Sequence, residues 1–151
     1  MRYLADSAKK VDPSRLRAFE LFAGLSEDDL ARIAEVCAEA TVPSGSVLIR
    51  EGQVGTDVFL LEEGFVNVYR GETSAAGILA NLQAPTLFGE RALVDPERIR
   101  TASVEAASDL RLLTIRINAF LSILQSFPLA KENLRQLLAA RAGSLTSKRT
   151  D

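Results

Sequence analysis

The feature that most constrains this chain is an abrupt change of period near Val42. From there to Arg116, short runs rich in Val, Ile, Leu and Phe are separated by Gly, Pro, Ser and Asp at close intervals. That is the pattern of an all-β sandwich or barrel. The spacing predicts strands over Ser46–Arg50, Val58–Glu62, Phe65–Arg70, Gly77–Leu82, Thr101–Ala106 and Leu110–Arg116. Glu63-Gly64 reads as a tight hairpin between the second and third, because Gly tolerates a positive φ. Pro43-Ser44-Gly45 and Gly52 to Thr56 read as further turns, and Gly71 to Ala76 as a longer polar loop.

On both sides of this region the period is helical. Ser26 followed by Glu27, Asp28 and Asp29 reads as an N-cap with acids in the first turn, where the positive helix end favours them. Leu30, Ile33, Ala34 and Cys37 then recur at helical spacing, predicting a helix that runs to about Ala40. Leu16, Phe19, Leu21 and Phe22 suggest a shorter helical piece upstream, divided from it by Gly24. After Arg116, Ile117 to Phe127 reads as one helix and Pro128 as the first turn of another. In that last helix Ala130, Leu134, Leu137 and Leu138 form a narrow apolar face, with Lys131, Glu132, Arg135 and Arg141 turned elsewhere. The segment after Gly143 is expected to fray. The chain thus reads as α+β, mainly β, in a single domain, as its 151 residues suggest.

Composition excludes more than it selects. The chain has no histidine, which removes the usual metal ligand, the usual general base and the Ser–His and Cys–His pairings together. Metal-dependent barrel enzymes, whose sites are built largely from histidines, are disfavoured for the same reason. Glu62 and Glu63 are carboxylate neighbours at a predicted turn and read as a solvated face. One cysteine, Cys37, leaves no disulfide or zinc site to build, and it reads as core. The formal net charge of −2 argues against non-specific adhesion to nucleic acid or anionic lipid. No signal peptide or membrane span is seen, so a cytoplasmic location is expected.

The stretch from Leu87 to Val104, LFGERALVDPERIRTASV, lies among strands yet holds a compact polar sequence that no strand core would choose. Arg91-Ala92-Leu93-Val94 could form one helical turn whose free amides bind phosphate. Gly89 lets a ligand approach the backbone closely. The Arg100 guanidinium can pair with two phosphate oxygens at once. A carboxylate at Glu90 is out of place beside a phosphate unless it serves a ribose hydroxyl, as acidic residues do in dinucleotide folds. On spacing alone, Glu90 and Arg100 could equally pair with each other across the loop.

These residues resemble the cyclic-nucleotide-binding domain shared by bacterial catabolite-activator-like regulators, cyclic-nucleotide-dependent kinases and cyclic-nucleotide-gated channels. The phosphate-binding cassette of that family looks like FGE, a small residue and a Leu, followed about ten residues on by Arg and then Ser, Thr or Ala. Its glycine framework is matched by VLIREGQVGTDVFLLEEGFVNVY, from Val47 to Tyr69. The resemblance implies a small antiparallel, jelly-roll-like β-barrel flanked by N-terminal helices and two C-terminal helices. It divides the chain into an N-terminal helical segment (1–20), a ligand domain (21–142, with the barrel over about 42–116 and the C-terminal helices over about 117–142) and a flexible tail (143–151).

Carried over position by position, the resemblance gives Glu90 and the Gly89 backbone to the ribose 2′-hydroxyl, and the Ala92 amide and Arg100 to the cyclic phosphate. Thr101 would add a hydroxyl. Val68 and Leu79 would lie beside the base, although plain barrel core explains them as well. Gly52, Gly55 and Gly64 would be turn residues. Arg91 stands where the family usually has an aliphatic residue; it reads as solvent-facing, or else as a second positive charge near the phosphate. Gln83-Ala84-Pro85-Thr86 replaces the usual Gly- and Asp-containing turn. The implied ligand is cAMP, with cGMP left open by Thr101; no cofactor or metal is implied. The implied function is that of a stand-alone sensor, not an enzyme and without a DNA-binding domain or membrane attachment, which signals to a protein effector by moving its C-terminal helix. That helix could also seam a homodimer. The alternative is a structural or protein-interaction barrel of the same fold that no longer binds nucleotide.

Overall fold

The computed structural model describes residues 4–6, 10–93 and 95–150. Among the described residues nine strands, β1 (Leu4–Asp6), β2 (Cys37–Val42), β3 (Val47–Ile49), β4 (Asp57–Glu63), β5 (Phe65–Tyr69), β6 (Ile78–Gln83), β7 (Thr86–Phe88), β8 (Ser103–Ala106) and β9 (Leu110–Arg116), form two antiparallel sheets. One sheet has the order β1-β2-β9-β4-β7 and the other β3-β8-β5-β6. The helices are α1 (Glu27–Ala34), α2 (Ile117–Ser126) and α3 (Pro128–Thr150), with 3-10 turns at Pro13–Ala18, Glu20–Phe22, Ser74–Ala76 and Glu90–Leu93. The jelly-roll-like barrel with flanking helices is what the sequence pattern and the resemblance lead one to expect.

The two cores follow from strand alternation. In β4, Phe59 and Leu61 face between the sheets with Val66, Phe88, Val104 and Leu112. Val58 and Leu60 point the other way, into a second core with Leu113, Ile115, Ile117, Phe120 and the N-terminal Leu16, Leu21 and Phe22. Both faces of β4 are therefore buried, which is why its sequence is nearly continuous in apolar residues. The stripe on α3 packs on this same chain, with Ala130 and Leu134 buried in the helical core and Leu137 and Leu138 packed against it.

Several local expectations are corrected. The helix α1 carries the predicted capping box at Ser26 and Asp29, but ends at Ala34. Cys37–Val42 is a strand paired with β9, not a helical continuation. The buried positions Cys37 and Ala40 are three apart, mimicking a helical repeat, and only Ala40 and Val42 show the strand period. Glu63-Gly64 is not a hairpin. β4 pairs with β7 and β9, whereas β5 pairs with β6 and β8, so at Gly64 (φ 97°) the chain steps from one sheet to the other. A Cβ there would lie 2.5 Å from the Asp109 carbonyl oxygen. Nor is Glu62 merely solvated. It accepts from Arg15 Nε at 2.8 Å and from a second Arg15 nitrogen, while Arg15 also donates to Glu39 at 2.6 Å. That fork ties the Pro13–Ala18 turn to the barrel, and the paired carboxylates hold the Arg15 pKa above its usual value. Glu63 is exposed as expected. In the N-terminal segment the structure has 3-10 turns and, at Leu4–Asp6, a strand. At the other end α3 continues past Arg141 to Thr150. Cys37 is core, and burial pushes its thiol pKa up to about 12.

Candidate functional site

A cavity of about 280 Å³ opens on the barrel between β5–β6 and the segment that follows β7. Its walls carry four arginines, Arg70, Arg91, Arg100 and Arg141, and one carboxylate, Glu90. The remaining wall is mainly apolar, as in most small-molecule sites.

Arg100 is held from three directions. Its backbone is laddered to the glycine loop, with Gly52 N–H donating to Arg100 O at 2.8 Å and Arg100 N–H to Gln53 O at 2.8 Å; Gly55 N–H donates to Arg98 O at 2.7 Å. Its guanidinium donates to Gly89 O at 2.7 Å and to Asp57 O at 2.6 Å. Two glycines make room for it. A Cβ on Gly55 would stand 2.5 Å from Arg100 Nε and 2.6 Å from Cζ, and one on Gly89 would stand 3.1 Å from Nη1. Arg100 is 8% exposed, and its side chain lies in the cavity wall. The glycine framework thus does more than turn the chain: Gly55 clears the space in which the guanidinium sits.

At Gly89 (φ 86°) the chain leaves β7 through a left-handed conformation that glycine adopts without steric cost. It then enters the Glu90–Leu93 turn, which is 3-10 in character and one helical turn long, as the sequence suggests. Val94, the fourth residue of the expected turn, lies outside the described residues. The site is backed by Phe59 and Phe88, whose rings stack with centroids 4.9 Å apart.

Glu90 is 7% exposed and its ion-pair partner among the described residues is Arg141, at 2.9 Å. The sequence leaves open a pairing of Glu90 with Arg100, but the bonds of the two groups run to Arg141 and to main-chain carbonyls respectively. Arg141 also donates to Thr86 Oγ1 at 3.0 Å and Leu87 O at 2.9 Å. It therefore faces the cavity, not away from it as predicted. Of the other predicted residues, Arg91 and Thr101 line the cavity and are exposed, and Val68 and Leu79 line it too. At 45% exposure Leu79 is cavity wall and not barrel core. Ala92 lies within the 3-10 turn.

Sequence reasoning misses Ile49, Arg70, Leu82, Val104 and Arg141 as cavity residues. Arg70 follows directly on β5, one position past the tyrosine that closes the strand. Arg141 carries a readable signal: it falls seven residues after Leu134 and four after Leu137, the helical face already identified as apolar. Its charge is what disguises it. Among the described residues no group of three or more acidic, histidine or cysteine side chains could hold a metal ion, and no helix is long and apolar enough to cross a membrane.

Comparison with known proteins agrees with this geometry. The cyclic AMP receptor protein of Thermus thermophilus is 30% identical over 127 residues, covering 83% of this chain and 58% of that protein. A cyclic nucleotide-gated potassium channel of Rhizobium etli is 32% identical over 126 residues, covering 83% of this chain and 34% of the channel. The chain thus spans less than two thirds of either relative. Among solved structures, a cyclic nucleotide-binding domain from Methylobacillus flagellatus superposes with a TM-score of 0.76 at 23% identity, over 97% of this chain and 85% of that one; at that identity it shows the fold. The sequence model of the cyclic nucleotide-binding domain matches residues 39–127, which include both the glycine framework and the cassette, and the chain belongs to that family.

Proposed function

We propose that this protein is a non-enzymatic sensor module that binds a cyclic nucleoside monophosphate, cAMP in preference to cGMP, and passes occupancy to a partner through its C-terminal helix. The ligand unit is the segment 21–142, and the setting is cytoplasmic. The observation that carries this reading is Arg100, buried between two glycines with its guanidinium fixed by two carbonyls in the cavity wall. A preset guanidinium offers a cyclic phosphate two charge-assisted hydrogen bonds without first having to be ordered. The Ala92 amide, in the turn beside it, supplies a further donor.

Glu90 supports the rest of the ligand: it is a buried carboxylate at the same cavity, suited to accept from a ribose 2′-hydroxyl. Val68 and Leu79, on the facing strands, give an apolar surface for the base, and Thr101 a hydroxyl within reach of ligand. Arg91, exposed at the mouth, adds positive charge. The name of the Thermus relative favours cAMP.

Calorimetric titration with cAMP and cGMP, beside thermal melts, tests the reading. Micromolar or tighter binding is expected, with cAMP at 100 times its Kd adding about 2.7 kcal/mol of stability, or about 5–10 °C in Tm. Arg100→Lys, which keeps the charge but not the fork, should weaken binding strongly. No heat with either nucleotide and a Tm indifferent to both would leave only an interaction barrel.

A further inference from the structure

Among the described residues Arg98 is the one non-glycine residue with a positive φ, 58°. A residue with a Cβ pays for that region with about fivefold to thirtyfold in population, so an arginine found there is held by its surroundings. Bonds on both sides hold it. Where the chain enters, an Asp-Pro turn closes on it: Glu97 N–H donates to Asp95 Oδ1 at 2.8 Å and Arg98 N–H to Asp95 O at 2.9 Å. Where the chain leaves, Arg98 O accepts from Gly55 N–H at 2.7 Å, Ile99 bridges to Val54, and Arg100 is laddered to Gly52 and Gln53. Arg98 is thus the corner at which the chain turns into the short ladder that carries Arg100. Glycine would take such a corner without strain. The arginine gives it a tether instead, since its Nη2 donates to Asn118 Oδ1, at 2.9 Å, in the first turn of α2.

Resting on the ligand reading above, we infer that Arg98 is a positioning residue for Arg100: its tethered left-handed backbone sets the ladder from which the guanidinium enters the cavity wall. The physical step is the peptide plane between residues 98 and 99. In the left-handed corner its carbonyl meets Gly55 N–H; a corner relaxed to negative φ swings that carbonyl away and gives up the bond. Arg100 lies two residues on. Its guanidinium bonds of 2.7 Å to Gly89 O and 2.6 Å to Asp57 O tolerate little displacement. Gly55 therefore serves twice, with its amide for the corner and its missing Cβ for the guanidinium.

The experiment uses the full chain with Arg98→Ala, Arg98→Gly, Asn118→Ala and the double variant Arg98→Ala with Asn118→Ala, with folding checked by melting. Affinity for cAMP is measured by calorimetry. The Arg100 Nε–H resonance, identified by its loss in Arg100→Lys, is followed by NMR in the empty proteins. Arg98→Ala and Asn118→Ala should each weaken cAMP about threefold to tenfold, the worth of one side-chain hydrogen bond. The double variant should be no worse than Arg98→Ala alone. Arg98→Gly loses the tether but keeps the corner, so it should bind more tightly than Arg98→Ala although more of the side chain is gone. In Arg98→Ala and Asn118→Ala the Arg100 resonance should move towards that of a solvent-exposed arginine. Affinity within about twofold of the unchanged protein in both tether variants, a resonance that stays in place while affinity falls, or a glycine variant no better than the alanine one each overturns the inference and leaves nucleotide binding standing. If the unchanged protein binds no cAMP, the ligand reading falls and the resonance decides the positioning alone: an unmoved signal in Arg98→Ala overturns it, and a shifted one supports it.

Discussion

Gly55→Ala separates the geometry of the site from the stability of the fold. Gly55 is not among the glycines with positive φ, so an alanine meets no backbone barrier there. Its Cβ would, however, stand 2.5 Å from Arg100 Nε, 2.6 Å from Cζ and 2.9 Å from Nη2. Carbon and nitrogen rest about 1 Å further apart than that, so the guanidinium must withdraw by a comparable distance. Its bonds of 2.7 and 2.6 Å to Gly89 O and Asp57 O do not survive such a shift.

The loss of two such bonds, partly offset by the smaller unfolded-state entropy of alanine, comes to about 2 kcal/mol, or about 4–8 °C in Tm. Affinity suffers more. A displaced fork loses both charge-assisted contacts to phosphate, about 3 kcal/mol or roughly a hundredfold in Kd. The assay is a cycle of Gly55→Ala, Arg100→Ala and the double variant, each titrated with cAMP and melted. Because the three atoms nearest that methyl all belong to the Arg100 guanidinium, adding Gly55→Ala to Arg100→Ala should cost less than about 0.5 kcal/mol. Wild-type affinity in Gly55→Ala, or an equal stability loss in both backgrounds, refutes the reasoning.

Gly64→Ala should behave in the opposite way, costing about 2–4 kcal/mol in a denaturant melt whatever the ligand, because its Cβ would meet a main-chain oxygen at 2.5 Å and its φ is 97°. Arg15→Ala should destabilise by about 2–3 kcal/mol, read by urea unfolding, because it removes the bond to Glu39 and both bonds to Glu62, whose side chain is 12% exposed. Cys37 should resist thiol reagents at pH 8 until the chain unfolds, since its thiol pKa is pushed up to about 12. That raised pKa favours the folded state fully below pH 9 and is lost as pH rises towards 12, by up to about 1.4 kcal/mol per pH unit. Cys37→Ala should remove that part of the alkaline slope in melts between pH 8 and 11.

What could be read from the sequence depended on whether a residue's partner is announced locally. The strand β9 was legible to the residue, because a run as apolar as Leu110–Arg116 flanked by polar turns has few other uses. The strands β1 and β7 are three residues each, too short to show a period of two, and β2 carries a spacing that a helix shares. At Glu63-Gly64 the sequence locates a turn without fixing its kind, since a sheet-to-sheet step and a hairpin ask for the same residue types. Glu90 and Arg100 were legible because the cassette concentrates unusual polar residues within a short stretch. The fork from Arg15 to Glu62 spans 47 positions and leaves no trace at either end.

The same distinction explains how the site is divided. Arg100 is bonded to barrel elements: the 52–55 loop, the start of β4 and the exit of β7. Glu90 stands at the border, on a 3-10 turn, and its charge is answered by a residue of α3. An anion gripped by the barrel alone would gain affinity without moving anything, because a ligand shifts an equilibrium only by its differential affinity for the two states. Under the proposed function, the part of the ligand that reports its presence is the part that touches Glu90. Changes at Gly55 are therefore expected to act through the guanidinium they displace, and changes at Arg141 through the carboxylate it pairs with.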